Sequence, residues 1–250
     1  MTLTWHSAAR THRGNRRPFN EDAVLDRRRA GLWAVADGLG GHFGGRIASR
    51  AVIRALATAR LPVSLPDRVD ALDDLLQDMN GRLRRRARAM GHNSMGTTLV
   101  VLTVCGSAAA ALWAGDSRLY RLRDGALELV TRDHTPARER QDALGLPDGE
   151  FEADDSHVVT RAVGCHSALH LDVAVFDILP GDTLLLCSDG LYREIGPGEV
   201  GAALAADDPG RIAGRLLDRC LDGAARDNVS LVIARADERP TMRALLRLAP

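Results

Sequence analysis

Acidic residues fall in five short clusters spread along this 250-residue chain: Glu21-Asp22, Asp37-Gly38, Asp116-Ser117, Asp189-Gly190 and Asp227-Asn228. Apolar runs lead into three of them, LWAVA before Asp37, ALWAG before Asp116 and TLLLCS before Asp189. These carboxylates therefore belong where buried strands meet loops. Carboxylates gathered in one fold repel one another and lose solvation unless a cation neutralises them. All-oxygen donor sets favour magnesium, manganese or calcium over zinc. Taken singly, Asp-Gly and Asp-Asn are ordinary turn dipeptides; the joint pattern is what points to metal chemistry.

Two other local signals compete. Cys187 to Arg193 spells C-x5-R, the pattern of phosphatases that attack phosphorus with a thiolate inside a loop of amides. Asp189 within that loop would repel phosphate, and TLLLC reads as a buried strand carrying an inert thiol. The run GLGGHFGG approaches a phosphate-binding glycine loop but ends in Arg46-Ile47, without the lysine or the metal-binding hydroxyl that such a loop needs. Its glycines read instead as backbone passing close to a metal and opening a helix.

The elements that must position these residues follow from periodicity and turn signals. Strands are expected over 2–10, 22–28 and 31–36, the last two joined at Ala30-Gly31. A helix opens near Gly44 or Gly45. A second runs from about Asp67 to Met90 with Val69, Leu72, Leu75, Leu76, Met79 and Leu83 on one stripe, acids early and arginines late, as the helix dipole favours. Residues 94–115 carry no charge and would just span a bilayer, but their β-branched content and the Gly106-Ser107 turn predict a hairpin of buried strands. Further strands are expected over 117–123, 126–131, 171–178, 182–188 and 228–235, and helices over 197–206 and 209–222. The polar stretch 133–156 reads as a flap over a site.

Thirty-three basic and 33 acidic residues cancel, which leaves no overall field to attract nucleic acid or an anionic membrane. Four scattered cysteines without a CxxC pair fit a reducing compartment. The amino terminus lacks the apolar core of a secretory signal, so a cytoplasmic location is expected. The length suits one α+β domain, set at 1–236, with a peripheral tail over 237–250.

In order and spacing, RPFNED (17–22), VADGLGGH (35–42), GTT (96–98), GDSRLY (115–120), TRDH (131–134), TRAVG (160–164), LLLCSDGL (184–191) and DNVS (227–230) resemble the metal-dependent serine/threonine protein phosphatases of type 2C. The resemblance spans roughly 17–230. It implies a four-layer αββα sandwich, two antiparallel sheets with helices outside, and a dinuclear manganese or magnesium centre between the sheet edges. Within that frame Asp37 bridges the metals. Glu21 and the Gly38 carbonyl hold one, Asp189 and Asp227 hold the other, and Asp116 with Asp189 takes a third, weaker ion. Arg17 is the implied phosphate clamp, Asp22 orients a metal-bound water, Asn228 supports the neighbouring loop, and His42 is given a structural role.

The implied activity is hydrolysis of phosphoserine and phosphothreonine without a phosphoenzyme, by a monomer that opposes a Ser/Thr kinase. Many eukaryotic relatives place a histidine directly after the metal-binding Asp-Gly, whereas this chain has Leu39. The general acid is thus left among His42, His134 and a metal-bound water. The rival readings are a phosphoprotein-binding member without turnover and a cysteine phosphatase using Cys187. SAARTHRGNRRPFNEDAVL and GLWAVADGLGGH are further similar to stand-alone members associated with type VI secretion, which reverse threonine phosphorylation of a forkhead-associated scaffold.

Overall fold

The computed structural model describes residues 3–39, 43–92, 94–146 and 158–238. In chain order its first half comprises strands β1 (Leu3–His12), β2 (Ala23–Arg27), β3 (Leu32–Ala36) and β4 (Gly38–Leu39), helices α1 (Phe43–Thr58) and α2 (Leu65–Ala89), then β5 (Gly96–Thr97), β6 (Leu99–Cys105) and β7 (Ala108–Ala114). The second half comprises β8 (Arg118–Arg123), β9 (Ala126–Leu129), α3 (Pro136–Ala143), β10 (Asp172–Asp177), β11 (Thr183–Cys187), α4 (Asp189–Tyr192), α5 (Pro197–Ala206), α6 (Pro209–Asp222) and β12 (Val229–Glu238). Two antiparallel five-stranded sheets result, ordered β1-β12-β11-β8-β9 and β10-β7-β6-β3-β2.

Alternation within the strands builds the layers. Trp33, Val35, Val100 and Leu102 meet Leu184, Leu186 and Val232 between the sheets. Their neighbours Leu32, Ala34, Leu99 and Val101 face the other way, against Leu56, Leu72 and Leu76 of α1 and α2. On the opposite outer face Leu185, Leu231 and Ile233 pack on Leu204, Ile212 and Leu216 of α5 and α6. Both faces of the central strands are therefore covered, which is why LWAVA and TLLLC are continuously apolar rather than alternating. The expected αββα sandwich is borne out.

Register then delivers the acidic clusters to one edge. Ala23 pairs with Ala36, so the entry to β2 lies beside the exit of β3. Because β6 is antiparallel to both β3 and β7, the exits of β3 and β7 share an end. In the other sheet Cys187 pairs with Leu231 and His12 with Val229, so the exit of β11, the entry to β12 and the exit of β1 coincide.

The structure differs from expectation in three places. Residues 136–143, placed in the flap, form helix α3, which begins at an N-cap whose Thr135 side chain accepts from the Arg138 amide with proline in the first turn. Residues 147–156 of that flap lie outside the described residues, as does His42. Strand β12 runs past the expected boundary at 236, with Asp237 and Glu238 opposite Thr4 and Leu3. A four-residue helix, α4, follows β11 where a loop was expected. The uncharged 94–115 stretch contains the β6–β7 hairpin, and among the described residues no helix is long and apolar enough to cross a membrane.

Leu186 is wholly buried between the sheets. Leu186→Ala is expected to cost about 2–5 kcal/mol of unfolding free energy, read by urea denaturation; a loss under about 1 kcal/mol would place the load of the core elsewhere.

Candidate metal centre

A cleft of about 110 Å³ opens at the edge where these strand ends meet, lined by Arg17, Glu21, Asp37, Gly38, Leu39, Asp116, Val159, Asp189, Asp227 and Asn228. The roomier hollow beside α6, about 580 Å³, is lined by exposed surface side chains such as Arg211, Arg215 and Asp218. Chemistry rather than volume singles out the smaller one.

Asp37 is fixed through its backbone. Its amide donates to Thr98 Oγ1 at 3.3 Å, and its carbonyl accepts from the Thr98 amide and the Thr97 hydroxyl, each at 2.8 Å. Thr98 Oγ1 in turn shares a 2.7 Å hydrogen bond with Ser117 Oγ. Gly38 has no room for a side chain, since a Cβ there would lie 2.4 Å from the Gly45 carbonyl carbon and 2.7 Å from the Glu21 oxygen. That closeness brings the start of α1, the β4 turn and the Glu21 carbonyl together, and the Ser49 hydroxyl donates to the same carbonyl.

Asp189 and Asp227 are brought together in the same manner. A Cβ on Gly190 would lie 2.0 Å from the Asn228 carbonyl oxygen, so only glycine lets α4 sit against the loop before β12. Asn228 accepts from the Glu21 amide at 2.8 Å and donates to the Arg13 and Phe19 carbonyls at 2.9 and 3.0 Å. It ties the 13–21 loop to the cleft. Arg17 stands at the rim with Nη2 2.7 Å from Asp227 Oδ2, which raises its pKa further.

Asp22 sits behind Asp37. Its Oδ2 accepts from Ser188 Oγ at 2.9 Å, and Ser188 Oγ accepts from the Ser230 amide at 3.1 Å. Its buried Oδ1 meets no hydrogen-bond partner among the described residues. Burial, partly offset by the hydroxyls of Ser230 and Ser188, pushes the Asp22 carboxyl up to about 7. Burial, then the charges of Asp22, Asp189, Asp116 and Asp227, lifts Asp37 well above the usual carboxylate range. Asp116 is raised to about 7 by burial and by Asp189 and Asp133, against the opposing charge of Arg193.

The donor set fits hard divalent cations. It contains carboxylates and one backbone carbonyl, with neither thiolate nor imidazole among the lining residues. No group of three or more such side chains closes into a ready ligand cage among the described residues; the carboxylates nonetheless share one electrostatic field, and its sign calls for added positive charge.

Other candidates fall away. His134 is buried; Nδ1 accepts from the Gly115 amide at 3.1 Å and Nε2 faces Asp172 at 3.1 Å. Nε2 makes no regular hydrogen bond among the described residues, burial lowers the pKa, and the ring is not among the groups that line the cleft. Cys187 is fully buried among Leu185, Leu191 and Cys220, and burial drives its thiol far up; a thiolate nucleophile there is excluded. Arg193, the last residue of that C-x5-R pattern, pairs with Asp189 at 3.1 Å. Together with Tyr192, whose hydroxyl donates to the Asp116 carbonyl at 3.1 Å, it is a neighbour of the site that sequence reading missed. The four-residue spacing from Asp189 to Arg193 held the signal, readable only once α4 is known.

Comparison with known proteins agrees. A model of the protein phosphatase 2C family matches residues 10–208. The solved structure of PppA from Pseudomonas aeruginosa, described as a key regulatory component of its type VI secretion system, superposes with a TM-score of 0.88 at 42% identity, covering 94% of this chain and 99% of that one. The catalytic domain of the serine/threonine protein phosphatase PstP, solved with two manganese ions, superposes with a TM-score of 0.84 at 32% identity over 95% of this chain and all of that one. Full-length PstP of Mycobacterium tuberculosis is 33% identical over 241 residues, 94% of this chain, and the chain spans 45% of its length. Motifs, layers and matched length converge: the chain belongs to the protein phosphatase 2C family.

Proposed function

We propose that this chain hydrolyses phosphoserine and phosphothreonine monoesters in proteins, using two divalent cations, manganese or magnesium, held by Glu21, Asp37, the Gly38 carbonyl, Asp189 and Asp227. The observation that carries this reading is the convergence of those groups from four separate strand ends into one cleft with Arg17 at its rim. The cations, when bound, supply Lewis-acid charge and acidify water to make a nucleophile near neutral pH.

The chain's own residues do the rest. Arg17 stays 42% exposed, so its planar fork can receive phosphate oxygens and offset the acids that would otherwise repel a dianion. Asp22, anchored by Ser188, orients water from behind Asp37. The Thr97, Thr98 and Ser117 hydrogen bonds hold the Asp37 backbone rigid, so the ligand does not reorganise during reaction. The departing alkoxide needs a proton. With Leu39 at the rim and His134 outside the residues that line the cleft, water in the cleft delivers it. The chain contains no lysine to compete for that role.

The likeness to PppA and PstP supports action opposite a Ser/Thr kinase on a phosphoprotein, with an association with type VI secretion favoured by the 42% identity to PppA. We assign it a cytoplasmic, monomeric form.

Phosphothreonine-peptide hydrolysis should need manganese or magnesium and stop with a chelator. Asp37→Ala and Asp189→Ala should lose more than the roughly 10–100-fold typical of outer-shell substitutions, while Cys187→Ala keeps its rate per folded molecule. Activity that survives the chelator but not Cys187→Ala would overturn the metal reading.

Charge crowding also makes a thermal prediction. Asp22 and Asp116 keep protons up to about 7 in the fold, against an ordinary value of 3.8. Their folded pKa values are raised, so their contribution to stability is full below about pH 4, declines as pH rises toward 7 and levels off above. Manganese should therefore raise the Tm of chelator-stripped protein more at pH 8 than at pH 5. Equal shifts at both values would show that the carboxylates are not coupled to the ion.

A further inference from the structure

Helix α4 opens on Asp189, and Arg193 follows one turn later. This spacing folds the guanidinium back onto the carboxylate, with Nε 3.1 Å from Asp189 Oδ2 and side chains only 29% and 7% exposed. Ion pairs this withdrawn from solvent are screened far less than surface pairs. Tyr192 covers the second acid: its hydroxyl lies 3.1 Å from the Asp116 carbonyl oxygen and 3.4 Å from Oδ2. Arg118 lies 3.7 Å over the Tyr192 ring and is itself fixed by a forked pair to Asp133 at 2.7–3.1 Å. The end of α4 thus lays one permanent cation and one hydroxyl over Asp189 and Asp116, the two carboxylates expected to share a third, weaker ion.

We propose that Arg193 is a built-in cation at that position, a positioning residue that offsets the charge of the Asp116–Asp189 pair and aims Asp189 at the dinuclear centre, so that the chain works with two ions and takes no third. The inference rests on the metal-dependent reading above. A guanidinium does not deprotonate in this setting, so it excludes a divalent ion from the same oxygens at every working pH. The charge of Arg193 also reaches Asp116 itself, as one cation serving both acids requires.

Manganese titration by calorimetry tests this on the chelator-stripped chain. Wild type and Arg193→Lys should saturate at two ions. Arg193→Met and Arg193→Gln, neutral and of similar length, should take up a third ion with affinity raised ten-fold or more, on the order expected for removing a unit charge at short range. Asp116→Asn in the Arg193→Met background should abolish that added ion. Circular dichroism and retention of the first two ions establish that each variant is folded. Three ions on wild type with unchanged affinity in the Met and Gln variants, or two ions on every variant, would overturn the role of Arg193 while leaving the dinuclear reading intact. Wild type that binds no manganese would defeat that reading, and this inference with it.

Discussion

Negative charge gathered in a desolvated cleft is the constraint around which this fold is arranged. Asp22, Asp37, Asp116 and Asp189 lie within one another's field, and each would be better solvated apart. They stay together because every one is mounted on rigid backbone. Asp37 is bonded to Thr97 and Thr98 on both its amide and carbonyl. Gly38 against Gly45 and Gly190 against Asn228 are contacts that any larger residue would open. Without a cation the fold relieves part of this crowding by favouring the protonated forms of Asp22, Asp37 and Asp116. Metal binding, stability and pH are therefore a single linked equilibrium rather than separate properties.

The sandwich supplies the edge where this happens. Four-layer packing covers both faces of β3, β6, β11 and β12, which leaves strand ends as the places where polar groups reach solvent. Antiparallel register then decides which ends coincide: β2 begins where β3 stops, and β12 begins where β11 stops. Function is confined to an edge because gathering charged groups deeper in the layered core, away from solvent and cations, would cost far more.

Much of this was legible in the chain. Strands covered on both faces are continuously apolar, so LWAVA and TLLLC announced their burial, and the acids following them announced the site. What escaped had a physical reason in each case. Helix α4 is four residues long, too short for a periodic signal, so the Asp189–Arg193 pairing stayed hidden although both residues were in view. The end of β12 is polar and was read as tail, yet backbone pairing with β1 needs no apolar side chain. His134 looked available beside Asp133; only the fold shows Nδ1 spent on the Gly115 amide and the ring buried outside the lining of the cleft.

Arginine and metal divide the work of neutralising the cleft, and the division follows from what each can do. All 33 basic residues of the chain are arginine, and a guanidinium keeps its proton at any pH the protein meets. Arg17 on Asp227 and Arg193 on Asp189 therefore lower the cost of crowding permanently and without supply from solution. Neither can acidify water, because that requires a cation with open coordination positions. Arginine suits the flanks of the cluster, where charge only has to be balanced. On the proposed reading a nucleophile is made between Glu21, Asp37, Asp189 and Asp227, and there an exchangeable divalent ion is needed. The position of a fixed cation thus marks where chemistry ends and support begins.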